Sequence, residues 1–411
     1  MATCARRGRG ETNTYENKRP NALVIEIAPG ISQEVKRHDP LDEILPADQF
    51  LALLDRDATE KISAELEKLY SDTRKCDYPV LPQFLSVVYM KLCKIKKLSV
   101  LYRKLRTDDC RLAESLGFRK NGGKVEVPSY QNLWVFLKKR LTEQKIDELS
   151  QFILARLNGE LSLRGREFGK NVAHDGIVVR AYDDEAKYND HYKTTMYKGE
   201  VGFDLDNFVP ICGEAAPSTD YDGRYVKGFM ERLDAVEKKR RTVYLDGHYA
   251  SIENYARLNH VHNARSVINI PGDQRIISDA GKEENIDKWY QRLHGREDFA
   301  IGATIDDKLS LLLKYGRVGE VGYYYRNKYV AEYLKDPGAY LKEYHNRSLE
   351  ETANNLMKNG LVDIENASNG TGIANRNLHI KLCVLTMQLV ALIRAHRGRV
   401  EKLTSVENLA C

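Results

Sequence analysis

Near Asn171 the hydrophobic period of the chain changes from helical to strand-like, and the order of elements beyond that point restricts the fold more than any other feature. Residues 172–179 (VAHDGIVV), 197–203 and 209–213 read as three consecutive strands. An amphipathic helix over 223–240 follows, then a short apolar strand over 242–245 that ends at Asp246. A helix over 251–258 and a strand over 266–270, stopped by Pro271-Gly272, complete the series. Three strands, helix, strand, helix, strand predict an α/β mixed sheet covered by helices.

Before this point the pattern is different. Residues 1–40 are polar, basic and Pro/Gly-containing, and are expected to be mostly disordered. From 41 to about 160, apolar residues recur every three to four positions (Leu51, Leu54, Ile62, Leu66, Leu69; then Leu85, Val88, Tyr89, Leu92, Ile95), so short helices are expected. Ser99 and Ser129 stand where helix caps are expected. Asn121-Gly122-Gly123-Lys124 lacks the spacing of a phosphate-binding loop and reads as a turn. Residues 165–411 form the predicted catalytic domain, with 271–335 as an insertion before two further helical segments, 337–359 and 375–395.

With 411 residues, 42% hydrophobic and 30% charged, the chain has the profile of a globular protein of more than one ordinary core. The most apolar stretch, 383–393, is too short to cross a bilayer, so no membrane association is expected. Seven scattered cysteines without a Cys-x-x-Cys pair argue against a zinc site or a disulfide scaffold and fit a reduced, cytoplasmic protein. The net charge of +5 permits nucleic-acid binding without requiring it. Basic runs at Lys94-Ile95-Lys96-Lys97, Lys138-Lys139-Arg140 and Lys238-Lys239-Arg240-Arg241 read equally as solvated helix faces or as phosphate contacts.

The chemistry centres on acids. Asp175 lies inside an apolar strand, where a carboxylate is costly unless paired, hydrogen-bonded or metal-bound. Asp246 ends a strand, and strand ends in open α/β sheets point at a common crevice. Each also suits turn initiation before glycine. Residues 344–358 (YHNRSLEETANNLMK) place Tyr344, Arg347, Glu351 and Lys358 on one side of a helix, with Leu349, Ala353 and Leu356 on another face that can pack on the sheet. A carboxylate there can hold a metal, and Arg and Lys can grip phosphate. Ser348-x-x-Glu351 also matches a capping box, which leaves Glu351 with two readings from periodicity alone.

The spacing Tyr344-x2-Arg347-x3-Glu351-x6-Lys358 resembles the Tyr-Arg-Glu-Lys (YREK) signature of DDE transposases of the insertion-sequence type, and the element order is that of their RNase H-like catalytic domain. Asp175-Gly176 resembles the family's first catalytic Asp, and Asp246 followed by Tyr249 the second. His379 also falls where such proteins often carry a His. Ile177 stands where Ser or Thr is common, and His248 where Gly is usual. The resemblance implies a DNA cleavage and strand-transfer enzyme with Asp175, Asp246 and Glu351 as catalytic residues and metal ligands. It further implies two Mg²⁺ ions (Mn²⁺ as an alternative), and DNA binding by Tyr344, Arg347 and Lys358. The implied partners are double-stranded DNA, as terminal inverted repeats and target, and a second copy of the chain in a homodimer on that DNA. The 41–160 segment is then the expected helical DNA-binding domain, and the insertion is expected to be strand-rich.

Competing readings are an RNase H-like nuclease that cuts without joining, and a catalytically silent DNA-binding descendant of a transposase. A transition-metal site built from His174, His191, His248, His260 and His262 is a weaker competitor, since these histidines lie outside the matched motifs.

Overall fold

The computed structural model describes residues 56–68, 78–107, 110–181, 183–293, 302–366, 370–401 and 403–404. All belong to one unit, residues 41–411. The segment 1–40, with Leu51, Leu54 and Leu69 of the first predicted helix, lies outside the described residues.

The N-terminal part is helical, as its periodicity predicts: α1 (Arg56–Glu67), α2 (Val80–Leu92), α3 (Leu98–Arg106) and α4 (Arg111–Ser115). A two-stranded hairpin, β1 (Lys120–Asn121) and β2 (Lys124–Val125), turns at Gly122 and Gly123, both at positive φ. Then come α5 (Tyr130–Val135), a π-helical turn over Phe136–Arg140, and α6 (Glu143–Ser162). Ser129 caps α5 by accepting the Asn132 amide, whereas α3 begins at Leu98, one residue before Ser99, with no side-chain cap.

The sheet follows, with β3 (Asn171–Arg180), β4 (Lys187–Asn189), β5 (Thr194–Asp204), β6 (Val209–Pro217), α7 (Val226–Val236), β7 (Arg241–Leu245), α8 (Ile252–Ala256) and β8 (Ala264–Ile268). β5 lies antiparallel between β3 and β6, and β7 and β8 add parallel on the other side of β3. The spatial order β6-β5-β3-β7-β8 is the RNase H-like mixed sheet expected from the element order. Parallel pairing of β3 with β7 places Asp175 and the end of β7 in adjacent strands.

The insertion is helical rather than strand-rich: α9 (Glu283–Arg292), α10 (Ile305–Lys314) and α11 (Val318–Lys335). Its Tyr-rich run forms α11, which buries Val321, Gly322, Tyr329 and Val330. Gly322 is required there, because a Cβ would meet the Ile252 carbonyl oxygen of α8 at 2.0 Å. The chain continues through α12 (Pro337–Tyr344), a 3₁₀ turn over His345–Arg347, α13 (Ser348–Asn355), a π-helical turn over Leu356–Gly360, and α14 (Ile373–His396).

By length and composition α14 could cross a membrane, but its apolar window is wholly buried. It packs on β6 and β5 on one side and on α6 and α2 on the other, which explains why it is hydrophobic all round. The helical segment and the sheet thus share one apolar core, and the division expected near residue 160 falls inside it. Gln388 of α14 donates to the carbonyls of Pro210 and Ile211, both at 3.0 Å, and accepts from Ser150 of α6 at 2.8 Å. Gly213 lets helix and sheet close, since a Cβ would stand 2.8 Å from Ile380 and 2.9 Å from Val384. Gly213→Val should therefore lower stability by about 1–3 kcal/mol through overpacking. Urea unfolding with an unchanged midpoint would refute this account of the contact.

Candidate functional site: a carboxylate cluster around Arg347

Asp175 lies in the middle of β3, opposite Val201 of β5 and two residues beyond the last pair that β3 makes with β7, Ala173 with Tyr244. Asp246 follows β7 and caps the 3₁₀ turn Gly247–Tyr249, accepting the His248 amide at 2.8 Å. That turn is anchored from below. Tyr249 is fully buried and donates to Glu200 Oε2 at 3.1 Å, and Asn254 donates to the Tyr249 carbonyl at 3.0 Å. Glu200 pairs in register with Gly176, so it occupies the sheet face opposite to Asp175. Burial, then the charge of Asp222, pushes Glu200 up to about 8. Burial lowers His174 beside it to about 3, so this imidazole is neutral.

The third carboxylate at the cluster is Glu350. Glu351, expected to complete the set, is exposed, and among the described residues no hydrogen bond or ion pair joins it to Asp175 or Asp246. The inward face of α13 consists of Glu350, Ala353 and Asn354, continued by Met357. Leu349, expected to pack on the sheet, is 39% exposed. Asn354 donates to Glu350 Oε1 and, at 3.3 Å, to Asp175 Oδ2. Ser348 has helical dihedrals and caps nothing, so the capping-box reading of this segment is not realised. One signal in the sequence pointed to Glu350. It lies three, four and seven residues before Ala353, Asn354 and Met357, the spacing of a buried helical stripe.

Arg347 occupies the centre. Its Nη2 lies 3.6 Å from Asp175 Oδ1, 3.9 Å from Asp246 Oδ2 and 3.5 Å from Glu350 Oε2. These separations exceed good hydrogen bonds, and Arg347 Nε and Glu350 Oε2 are both buried without a hydrogen-bond partner. Tyr344 is half-buried, and burial raises its phenol above the usual range. Burial, then the neighbouring Asp175 charge, pushes Glu350 up to about 9, while burial also raises Asp175. Two adjoining carboxyls in a dry site resist double ionisation.

Lys358, expected beside the acids, instead pairs with Glu365 at 3.5 Å, an acid that Arg180 approaches at 3.8 Å. The basic runs are partly consumed by structure. Lys138 turns inward to Asn375 at 2.5 Å, and burial lowers it to about 8. Arg241 is buried against Asp234 at 3.2 Å. His379 is buried between Lys91 Nζ at 2.6 Å and the carbonyls of Asp363 and Ile364 at 3.2 Å. The histidines weighed as a transition-metal set do not gather: His260 binds Tyr325 and Ser310, and His262 binds Asp234.

Among the described residues no three His, Cys, Asp or Glu side chains are already close enough to hold a metal ion. The carboxylates surround a guanidinium nitrogen instead. Their chemistry nevertheless suits a hard divalent cation, because all three offer oxygens and Glu350 Oε2 lacks a donor.

An open cleft of about 560 Å³ reaches Asp175 and Asp246, and its lining includes Gly176, His191, Tyr192 and Lys198. Tyr192 escaped the sequence reading and His191 entered it only as a transition-metal candidate, because nothing in their local pattern places them in a cleft with the acids.

No model of a known family matches the chain, and no curated protein matches it. Among solved structures, the synaptic complex of piggyBac transposase with hairpin DNA is similar over 89% of this chain and 79% of that one, with a TM-score of 0.37 and 10% identity. Similarity at that level establishes neither activity nor partner.

The titration of Glu350 gives a test of the cluster. In the metal-free protein the unfolded chain releases this proton near the usual carboxylate value of about 4.3, whereas the folded chain keeps it up to about 9. Stability from this group is full below the lower value and is lost as pH rises through that window. Glu350→Gln should thus raise the metal-free melting temperature at pH 8 by about 2–4 °C and leave it unchanged at pH 4. Glu351→Gln should do neither. Thermal scans in which Glu351→Gln is the stabilising variant would reverse the assignment.

Proposed function

We propose that this chain is a DDE-type transposase that cleaves DNA and transfers strands at the ends of an insertion sequence, with Asp175, Asp246 and Glu350 as the metal-binding acids. The observation that carries the reading is the convergence of three carboxylates from β3, the end of β7 and α13 on one guanidinium nitrogen, beside an open cleft. The YREK-like spacing supports it at Tyr344 and Arg347, while Glu350 takes the place that the spacing gives to Glu351.

These residues would hold Mg²⁺, or Mn²⁺, which when bound supplies Lewis acidity to the attacking and departing oxygens of an in-line displacement at phosphorus. Arg347 keeps the carboxylates neutralised beforehand. Its contacts are long and its Nε unsatisfied, so it can swing from the acids to a phosphate oxygen. Asn354 orients both Asp175 and Glu350, and Tyr249 on Glu200 holds the Asp246 turn in place. Acting on two element ends would require a homodimer on paired terminal repeats.

With supercoiled plasmid carrying the element ends, Mg²⁺ should support nicking and joining. Asp175→Asn, Asp246→Asn and Glu350→Gln should each reduce nicking on the order of 100-fold or more, the scale on which a preorganised electrostatic group acts. Glu351→Gln should stay near wild type. Products that are cut but never joined would favour a nuclease, and binding without cutting a silent descendant. Mg²⁺ at about 100 times its Kd should also stabilise the wild type by about 2.7 kcal/mol. A Glu350→Gln variant with the same gain would remove Glu350 from the ligand set.

A further inference from the structure

One wall of the cleft has no part in that chemistry. Ile177, Val178 and Met196 give the cleft an apolar lining, and the turn after β4 brings His191 and Tyr192 to its mouth. This turn has a defined shape: the Asn189 side chain accepts the His191 amide at 3.0 Å and the Tyr192 amide at 3.1 Å. The two rings meet edge to face, with centroids 4.7 Å apart and planes at 86°. Edge-to-face packing holds ring orientation while leaving a π-face free. Tyr192 is 50% exposed, so part of its ring is open to a ligand. The ring lines the same cleft as Asp175 and Asp246.

We propose that Tyr192, braced by His191, is a stacking platform for an unpaired nucleobase adjacent to the phosphate at the metal site that Asp175 and Asp246 would form. The inference rests on the nucleic-acid reading of the site. A base inside a duplex has both faces covered by its neighbours, so only a frayed, flipped or single-stranded base can offer one to Tyr192. The cleft volume of about 560 Å³ falls in the range of sites that enclose a small ligand. Lys198 within it is already paired with Asp222, so recognition at this wall falls to the ring rather than to charge. Tyr192 thereby becomes a selector for locally opened DNA.

The test uses the full chain in Ca²⁺ and two fluorescent oligonucleotides of roughly 12 nucleotides, within the site sizes of single-strand binders. One is oligo-dT. The other has the same phosphates but abasic central positions. Fluorescence anisotropy should show the wild type preferring oligo-dT by about tenfold, the scale of one stacked base. Tyr192→Ala should bind the two within about twofold of each other, and Tyr192→Phe should keep the preference, with all three proteins melting alike. Equal affinity of the wild type for both probes, or a preference that survives in Tyr192→Ala, overturns the platform and leaves the nucleic-acid reading standing. Failure of the wild type to bind either probe overturns both.

Discussion

The contact between α14 and the sheet sets the positions of everything around it. This helix is apolar on every side because it has no solvent side: β5 and β6 cover one flank, α6 and α2 the other. Such a helix cannot tilt or slide without opening two interfaces at once. Gly213 and Gly199 remove the Cβ atoms that would hold helix and sheet apart. Gln388 then fixes the register along the axis by bonding to two sheet carbonyls and to α6. The strand carrying Asp175 is the next neighbour of β5 in this layer, so the depth of the acid within the fold follows from that packing.

Onto this frame the site is assembled from pieces that are held individually. β3 supplies Asp175, the Tyr249–Glu200 bond secures the turn that carries Asp246, and the 3₁₀ turn and α13 bring Arg347 and Glu350 against β7 and β3. α12 is itself tied down, with Tyr340 donating to the Ile268 carbonyl at 2.9 Å and Glu343 accepting from Arg265 at 2.8 Å. The carboxylates would repel one another if brought together bare. Arg347 between them, and the proton kept by Glu350, relieve that repulsion in the metal-free protein.

Much of this arrangement was legible in the sequence because it depends on local period. The strand–helix order from residue 171 onward predicts the sheet, and Asp175 and Asp246 fall where strand and strand end place them. The helical form of the insertion was less accessible. Val318–Lys335 carries tyrosines and glycines with weak helical propensity, and its conformation is settled by Gly322 pressing onto the α8 backbone, a tertiary contact. The basic runs misled for a similar reason. Charge along the chain does not reveal direction, and Lys138 and Arg241 turn inward, to Asn375, 237 residues away, and to Asp234, 7 residues away.

The choice between Glu350 and Glu351 turns on helical phase. Adjacent residues differ by about 100° around a helix, so only one of the two can face the sheet. A spacing signature counts residues, and it presumes one uniform helix from Tyr344 to Lys358. The chain here passes through a 3₁₀ turn at His345–Arg347 and a π-helical turn at Leu356–Gly360, each of which shifts the phase. What orients the segment is its apolar and amide stripe of Ala353, Asn354 and Met357, and Glu350 sits in line with that stripe. Arg347, one turn earlier, still reaches the acids because its side chain is long. Lys358, within the π-turn, is carried to Glu365 instead. A buried stripe therefore constrains the acid's position more tightly than the count of residues between polar landmarks.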